Sequence, residues 1–298
     1  ICVVCQNNVD ESVRCASTVS QAVDDLSEST RLLLLNSGDT ISKVSLETFL
    51  ICDSGADIVY CDTDKIDAKE RRVSPHFLPD WNPDLQLSTG YVYTGVMCKA
   101  ALVKKTLVNA SSIAGLVTEL WLKQSKLSVE HVPYTLVHRF FNKKRVIESL
   151  ADIRTVIESC IPAIPSYNEE LAVNTIQWSV ESEPLVSLII PTKNGKALVK
   201  ACIESILEKT IYQNYEILLI DNGSDEKESL DYFSELEKHT KIRVLRYPGE
   251  FNYSAINNFG VQHACSDSTV IGLINNDIEV INPHWLTSMV GHAMRSDV

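Results

Sequence analysis

The stretch Leu188-Ile189-Ile190-Pro191-Thr192-Lys193-Asn194 passes directly from an apolar run into turn-forming polar residues. Two later stretches repeat the pattern, Ile217-Leu218-Leu219-Ile220-Asp221-Asn222-Gly223-Ser224 and Leu273-Ile274-Asn275-Asn276-Asp277. Apolar residues at consecutive positions predict strands that are buried on both faces, as in a parallel sheet. Open parallel sheets bind ligands beyond the carboxyl ends of their strands. We therefore expect one crevice that collects the polar residues at these strand ends: Thr192, Asn194, Asp221, Ser224, Asn275 and Asp277.

The segments between these strands have the periodicity of helices. Five apolar residues of the first such segment fall on one helical face: Leu198, Cys202, Ile203, Ile206 and Leu207. Asp225 followed by Glu228 predicts a capping box at the start of the next helix. The alternation of strands and helices predicts an α/β fold with right-handed crossover connections.

Composition argues against two classes of protein. The chain has 298 residues, of which 45% are hydrophobic, and a net charge of -12. This acidic balance argues against nucleic acid as a partner, because binding to a phosphate backbone depends on clustered lysine and arginine. No apolar run has the length of a membrane span and no signal peptide opens the chain. We expect a cytoplasmic protein, with peripheral association at the inner face of the plasma membrane as the alternative.

The nine cysteines favour buried free thiols over a disulfide framework or a zinc site. Cys2 and Cys5 alone have a ligand-like spacing, and they lie in an apolar run without a second pair. The odd number and the scattered positions predict free thiols in a reducing compartment.

An internal repeat links the beginning of the chain to its later part. Residues 1–39 and 242–277 share one order of elements: a strand, a polar loop, a helix that opens near Ser12 or Ser254, and an apolar strand. The chain also opens directly in a strand-like run and stops just beyond an amphipathic helix. We therefore expect a fragment of a longer protein.

Two of the strand ends carry residues suited to a nucleotide and its metal ion. The Asp221 carboxylate can accept a hydrogen bond from the ring N–H of a pyrimidine, and the alternative is a plain turn with a helix cap. Asn275-Asn276-Asp277 supplies the oxygen ligands that Mg²⁺ and Mn²⁺ prefer, and the alternative is a solvated turn. The sequence has no glycine-rich dinucleotide or phosphate loop, so the common Rossmann and P-loop functions lack support.

Together these segments resemble the family 2 glycosyltransferases, enzymes of the GT-A fold with a Rossmann-like mixed sheet. The resemblance runs in order through 186–192, 214–224, Phe251-Asn252-Tyr253-Ser254-Ala255-Ile256-Asn257-Asn258 and 275–277. It covers nearly all of residues 186–298 and is strongest to bacterial tandem-domain enzymes of surface-polysaccharide assembly. The resemblance implies that the chain holds two incomplete copies of the GT-A fold.

The resemblance implies an inverting, metal-dependent transferase of the hexosyl type. Its donor would be a UDP- or dTDP-linked sugar, and its acceptor a glycan or a lipid-linked glycan. The resemblance places the following residues against the nucleotide sugar: Pro191, Thr192, Asn194, Asp221, Asn222, Gly223, Ser224 and Asn275. Asp277 would hold the Mg²⁺ or Mn²⁺ ion that bridges the diphosphate. Inverting members use a carboxylate as general base; we expect that base beyond Val298 and expect the fragment alone to be inactive.

The resemblance also predicts the domain organisation. Residues 1–142 would be the C-terminal part of a first, degenerate copy. Residues 143–184 would form a helix and linker, and residues 185–298 the N-terminal, donor-binding part of a second copy.

The first copy departs from the family pattern at two motifs. Its metal motif is Asn36-Ser37-Gly38-Asp39, and its base motif is replaced by Ser111-Ser112-Ile113-Ala114-Gly115, which has no carboxylate. We therefore expect the first copy to be catalytically weak or dead. Asp62, Asp64 and Trp81 are candidates for sugar contact, and the alternative for them is a solvated loop and a core anchor.

Two other functions stay open. A non-catalytic, degenerate transferase domain that acts as a scaffold or glycan-binding module would fit both departures. A nucleotidyltransferase would also use an α/β fold and a divalent ion. Its glycine-rich phosphate loop is, however, poorly matched by Lys193-Asn194-Gly195-Lys196.

Overall fold

The chain folds into two compact units, Ile1–Gln177 and Trp178–Val298, in a computed structural model. The residues described are 2–7, 10–15, 23, 26–52, 55–67, 69–106, 108–124, 126–140, 143–180 and 182–295, the first two ranges by backbone pairing only. Within these ranges no helix has the length and apolar character needed to cross a membrane.

The first unit is built on a mixed sheet. Its described strands are β1 (Cys2–Asn7), β2 (Asp10–Cys15), β3 (Arg31–Leu35), β4 (Thr40–Ile41), β5 (Ile58–Ile66), β6 (Arg72–His76), β7 (Val96–Lys99), β8 (Val129–His138), β9 (Ala163–Asn168) and β10 (Val173–Trp178). Its described helices are α1 (Lys43–Ile51), α2 (Pro83–Thr89), α3 (Ala100–Thr106), α4 (Ile113–Lys123) and α5 (Lys143–Cys160). The strand order is β2-β1-β3-β7-β5-β8-β4, with β6 paired to β5 and with β5 and β8 parallel.

The leucine run of β3 fills two core layers. Leu32 and Leu34 join the core on one face of the sheet, which α4 covers. Leu33 and Leu35 join the core on the other face, together with Phe49 of α1. Successive side chains of a strand point to opposite faces, so a run of consecutive leucines suits a strand that is covered on both sides. The predicted strand is confirmed.

The region between the predicted copies differs from a plain linker. The helix predicted over residues 143–160 is confirmed as α5, but β9 and β10 then pair with each other in a separate sheet. Pro165 of β9 is compatible with this pairing because both strands are edges, and an edge strand tolerates a residue without an N–H. Pro162 precedes β9. The boundary between the two units falls between residues 177 and 178, just before the last residue of β10.

The second unit has the parallel sheet that its apolar runs predict. Its described strands are β11 (Val186–Thr192), β12 (Tyr215–Asp221), β13 (Ile242–Arg246) and β14 (Val270–Leu273). Its described helices are α6 (Lys196–Lys209), α7 (Lys227–Leu236), α8 (Tyr253–His263) and α9 (Trp285–Ala293). The strand order is β13-β12-β11-β14, and each neighbouring pair is parallel. The α/β prediction is confirmed.

The strand order places helices on both faces of this sheet. From β11 the chain moves outward to β12 and β13, with α6 and α7 packed on one face through Ile203 and Phe233. It then returns to β14 by way of α8, whose Ile256 packs on the opposite face. A Cβ added at Gly260 of α8 would lie 2.5 Å from Ile189 Cγ2, so the glycine permits close helix-sheet packing. The reversal makes β11 the point beyond which an open sheet binds its ligand.

The predicted repeat is not reflected in strand pairing. Residues 10–15, where we expected a helix to open near Ser12, form β2, which lies antiparallel to β1. β1 also pairs directly with β3, whereas their predicted counterparts β13 and β14 are not neighbours. Pairing with a neighbouring strand decides the conformation of such short segments more than local propensity does. Residues 16–22, into which the predicted helix would run, lie outside the described residues.

Candidate functional site

A cavity of about 240 Å³ opens at the carboxyl ends of β11, β12 and β14. Its walls are formed by residues that follow these strands and by the start of α8: Pro191, Thr192, Lys193, Asn222, Phe251, Tyr253, Ile256, Asn275 and Asn276. Four residues predicted to touch the nucleotide sugar are therefore brought together, namely Pro191, Thr192, Asn222 and Asn275. A crevice is present at the predicted strand ends. Of the six residues expected in it, Thr192 and Asn275 line the cavity, whereas the other four do not: Asn194, Asp221, Ser224 and Asp277.

The ends of β11 and β14 are joined by side chains. Asn276 Nδ2 donates a hydrogen bond to Thr192 Oγ1 at 3.0 Å. Tyr253, in the first turn of α8, extends the same wall because its hydroxyl donates to Asn275 Oδ1 at 3.5 Å. The helix itself is fixed by Asn252, whose side chain accepts a hydrogen bond from the Ala255 N–H. Three segments distant in sequence thus form one surface.

Asn194 ties the loop after β11 to the loop after β12. Its backbone N–H donates to Ser224 Oγ at 2.6 Å, and its Nδ2 donates to Asp225 Oδ1 at 2.8 Å. Its Oδ1 accepts from the N–H groups of Asp225 and Glu226 at 2.9 and 3.1 Å. The predicted Asp225–Glu228 capping box is wrong: the N-cap residue of α7 is Glu226, without a side-chain cap, and Asn194 satisfies amides there instead. Asn194 and Ser224 therefore hold the two loops together and do not line the cavity.

The Asp221 carboxylate is directed into its own turn. The residue is 3% exposed, its Oδ1 accepts from the Ser224 N–H at 2.8 Å, and its Oδ2 lies 3.3 Å from Arg246 Nη1. The turn is completed by Gly223, which adopts a φ of 75°. Asn222, the next residue, lines the cavity instead, and its Nδ2 donates to the Gly249 carbonyl at 2.8 Å. Of these two adjacent residues, Asn222 lines the cavity and Asp221 does not.

Five lining residues were not assigned a role by sequence reasoning: Lys193, Phe251, Tyr253, Ile256 and Asn276. Phe251 and Tyr253 are both large, exposed aromatic side chains. The sequence contained one signal for both aromatic residues, because they flank Asn252, the N-cap residue of α8. Residues at the start of this helix lie at the strand ends. Lys193 supplies the one cationic side chain of this cavity wall.

Asp277 is an exposed carboxylate in the segment after β14. It forms no hydrogen bond or ion pair with any described residue, and Asn275 beside it is also exposed. The described residues contain no group of three His, Cys, Asp or Glu side chains that could hold a metal ion by themselves. One carboxylate and one amide fit a hard divalent ion only if further oxygen ligands come from elsewhere, as the phosphates of a nucleotide can provide.

In the first unit, the carboxylate of Asp39 in the degenerate metal motif already accepts hydrogen bonds from other protein groups. Its carboxylate accepts hydrogen bonds from Thr94 Oγ1 at 2.5 Å and from the Phe140 N–H at 2.7 Å. Burial raises the pKa of this carboxyl, and the hydrogen bond from Thr94 opposes that rise. A carboxylate engaged on both oxygens is poorly placed to bind a metal ion.

The degenerate base motif is filled by a carboxylate from another helix. Asp152 of α5 accepts hydrogen bonds from the N–H and hydroxyl groups of both Ser111 and Ser112, at 2.6 to 3.1 Å. A Cβ added at Gly115 would overlap Asp152 Oδ2. Ser112 is the N-cap residue of α4, and Asp152 holds this residue and Ser111 in place. Asp152 also occupies the space that a side chain at position 115 would need.

The other sugar-contact candidates of the first unit lie in its interior. Asp62 and Asp64 belong to β5 and are buried. Asp62 Oδ1 lies 2.8 Å from His131 Nε2, and Asp64 Oδ1 lies 2.6 Å from His138 Nδ1. The expectation of either a sugar contact or a solvated loop is therefore wrong for both. Trp81 packs against the core as an anchor.

Part of the chain matches a known family. Residues 187–298 match the family model described as "Glycosyl transferase family 2". "Uncharacterized protein y4gI" of Sinorhizobium fredii is 30% identical over 305 residues, covering 95% of this chain and 33% of that protein. "O-antigen biosynthesis protein RfbC" of Myxococcus xanthus is 28% identical over 261 residues, covering 81% of this chain and 20% of that protein. The chain thus spans about a third or less of the length of these curated relatives.

Solved structures resemble parts of the chain. The mannosyltransferase PcManGT from Pyrobaculum calidifontis, in complex with GDP-Man and Mn²⁺, has a TM-score of 0.36 and 17% identity, and the match covers 41% of this chain and 36% of that one. GalNAc-T7 with UDP, GalNAc and Mn²⁺ has a TM-score of 0.32 and 22% identity, covering 36% of this chain and 21% of that one.

Proposed function

We propose that the second unit, whose residues 187–298 match the model of glycosyltransferase family 2, binds the nucleotide-diphosphate sugar of a glycosyl transfer reaction. The transfer would deliver a hexosyl group to a glycan or lipid-linked glycan during surface-polysaccharide synthesis. The similarity to an O-antigen biosynthesis protein supports this role. We further propose that residues 1–177 derive from a degenerate preceding copy of the same fold.

The observation that carries the proposal is the cavity beyond β11. It lies where an open parallel sheet binds its ligand, and its lining combines amides and a hydroxyl with aromatic side chains. A pyrimidine base presents both an apolar ring face and an edge of hydrogen-bonding groups. We assign the edge of the base to Thr192 and Asn222 and the ring face to Phe251 or Tyr253. Asn275 is assigned to the ribose.

The other predicted site residues have a supporting role in this proposal. Asn194, Asp221, Gly223 and Ser224 hold the loops that carry the contact residues, as their hydrogen bonds and turn conformation support. Asp277, with Asn275 beside it, would hold Mg²⁺ or Mn²⁺ against the diphosphate. A bound divalent ion stabilises the negative charge that develops on the departing nucleotide. Lys193 adds a fixed positive charge to the cavity wall.

We propose inversion at the anomeric carbon by in-line attack of the acceptor hydroxyl. None of the described residues that line the cavity carries a carboxylate, so we assign removal of the acceptor proton to none of them. The proposal is tested on the full-length protein by the anomeric configuration of the product in NMR. Retention of the donor configuration would contradict it.

UDP or dTDP together with Mn²⁺ is expected to raise the melting temperature of this chain. A ligand at 100 times its Kd stabilises the folded state by about 2.7 kcal/mol, which corresponds to a shift of several degrees. Differential scanning fluorimetry measures the shift, with Mn²⁺ and inorganic pyrophosphate as the control for diphosphate binding alone. An equal shift with pyrophosphate would contradict the assignment of the base, and no shift with any nucleotide would contradict the proposal as a whole.

The metal motif and the base motif of the first unit are both engaged by other protein groups, and this favours a second function for that unit. Asp39 is engaged by protein donors and position 115 has no room for a carboxylate. We propose that this unit is a non-catalytic module that binds a glycan or acts as a scaffold.

A further inference from the structure

The first unit contains a second cavity, of about 400 Å³, whose residues all lie within residues 76–149. We call it the Arg139 pocket and define it by His76, Phe77, Tyr93, Arg139, Phe140 and Val146. Pockets of this size with apolar walls and a few polar groups are typical of small-molecule sites. The inference below rests on the glycan-binding role proposed for the first unit, and it stands or falls separately from the assignment of residues 187–298.

Among the described residues, the charge of Arg139 has no counterion. Arg139 Nη1 donates to the Tyr93 hydroxyl at 2.8 Å, and Nη2 lies 3.5 Å from the Ser74 carbonyl oxygen. Its Nε is buried without a hydrogen-bond acceptor, and no described carboxylate forms an ion pair with it. A partly buried cation without a partner is unfavourable, and removing that penalty favours an anionic ligand. Carboxylate and phosphate are the groups that a guanidinium binds with the best geometry.

His76 presents a second unsatisfied polar atom in the same pocket. Its Nδ1 is buried without a hydrogen-bond partner among the described residues. Burial, and then the charge of Arg139, lowers the pKa of His76, so its imidazole is neutral at pH 7. A neutral imidazole has one donor and one acceptor nitrogen and therefore suits a hydroxyl group. The pocket thus offers a site for an anion and a site for a hydroxyl.

The remaining walls are aromatic and apolar. Phe77 and Phe140 are 71% and 61% exposed although both line the pocket. Large aromatic side chains that are exposed at the mouth of a cavity are typical of a binding surface. The C–H face of a pyranose ring is the apolar surface that complements such a wall, and its hydroxyls complement His76.

We propose that the Arg139 pocket binds a sugar residue that carries an anionic group, with the anion at Arg139 and the ring face against Phe77 and Phe140. A carboxylate on a hexuronic acid and a phosphate on a hexose are two sources of this chemistry. The carboxylate carbon of a hexuronic acid is one bond from the pyranose ring, and the phosphorus of a hexose 6-phosphate is three bonds from it.

The test is isothermal titration of the chain with methyl β-D-glucuronoside, glucose 6-phosphate and methyl β-D-glucoside. Hydrogen bonds to a charged group contribute about 1.5–3 kcal/mol, so an anionic sugar is expected to bind about tenfold or more tightly than the neutral glucoside. Whichever of the two anionic ligands binds with the lower Kd shows whether the pocket prefers a carboxylate or a phosphate. The preference is expected to fall with added salt, because the attraction is between charges.

Two variants and one control make the result specific. Arg139→Gln is expected to reduce the affinity for the anionic sugar to that for the glucoside. Phe77→Ala, a change at an exposed side chain, is expected to weaken the anionic and neutral sugars by the same factor. Arg71→Gln, which removes an exposed arginine outside the pocket, is expected to change neither affinity. Equal binding of glucuronoside and glucoside, an unaltered preference in Arg139→Gln, or no saturable binding of any of the three sugars would overturn the proposal.

Discussion

Replacing Asp277 with alanine is expected to abolish the Mn²⁺-dependent part of nucleotide binding. Asp277 is exposed and has no hydrogen bond or ion pair with the described residues, so the free energy of unfolding is expected to stay within about 0.5 kcal/mol of the unmodified chain. The reason for the loss is that Asp277 is the exposed carboxylate that follows the cavity residues Asn275 and Asn276 in the chain, and none of the described residues that line the cavity carries a carboxylate. The thermal shift with UDP, measured once with Mn²⁺ and once with EDTA, separates the metal-dependent part of nucleotide binding from the metal-independent part.

Glu279→Ala is the matched control for Asp277→Ala. Glu279 is also exposed, lies two residues further along the chain and, like Asp277, is not among the described residues that line the cavity. It carries the same charge, so a general electrostatic effect would weaken Mn²⁺-dependent binding in both variants. Metal-dependent binding that survives in Asp277→Ala would refute the assignment of the metal to Asp277.

Replacing Gly115 with alanine is expected to destabilise the first unit by about 1–3 kcal/mol, the usual penalty for overpacking. Gly115 is in α4, and glycine to alanine in a helix is ordinarily stabilising by about 0.8–1 kcal/mol. The expected sign is reversed here because the new Cβ would overlap the Asp152 carboxylate. Urea unfolding measures the change.

The control for this prediction is to make Gly115→Ala again in a protein that already carries Asp152→Ala. That variant removes the overlapping carboxylate, at the cost of the hydrogen bonds that it accepts from Ser111 and Ser112. In this background Gly115→Ala is expected to become neutral or stabilising. A double-mutant cycle isolates the interaction between the two positions. Additive effects of the two substitutions would show that Asp152 does not exclude a side chain at position 115.

The strands and the longest helix could be predicted from sequence because their signal is local. The apolar runs of β11 and β12 are long enough to define a buried parallel pair, and the polar residue after each run marks the end of the strand. The helix over residues 143–160 has an apolar stripe along its length. β2 could not be predicted in this way, because its strand conformation depends on pairing with β1.

The side chains of the site were harder to predict than the strands that carry them. Asp221 and Asn222 are adjacent, and the sequence does not show which of them faces the cavity. Asp221 turns away because the Ser224 N–H and Arg246 engage its carboxylate, and Arg246 lies in a different strand. Asp152 was missed for the same reason, since it reaches the degenerate base motif from a separate helix.

The ties between the cavity loops have a consequence for the thermodynamics of nucleotide binding. Fixing the backbone of one loop residue removes conformational entropy worth roughly 1–2 kcal/mol. The Asn194 contacts with Ser224 and Asp225, and the contact of Asn276 with Thr192, impose that order when the unit folds. A ligand that arrives later therefore meets a preorganised receptor, and the entropy lost on association comes mainly from the ligand's own translation, rotation and torsions.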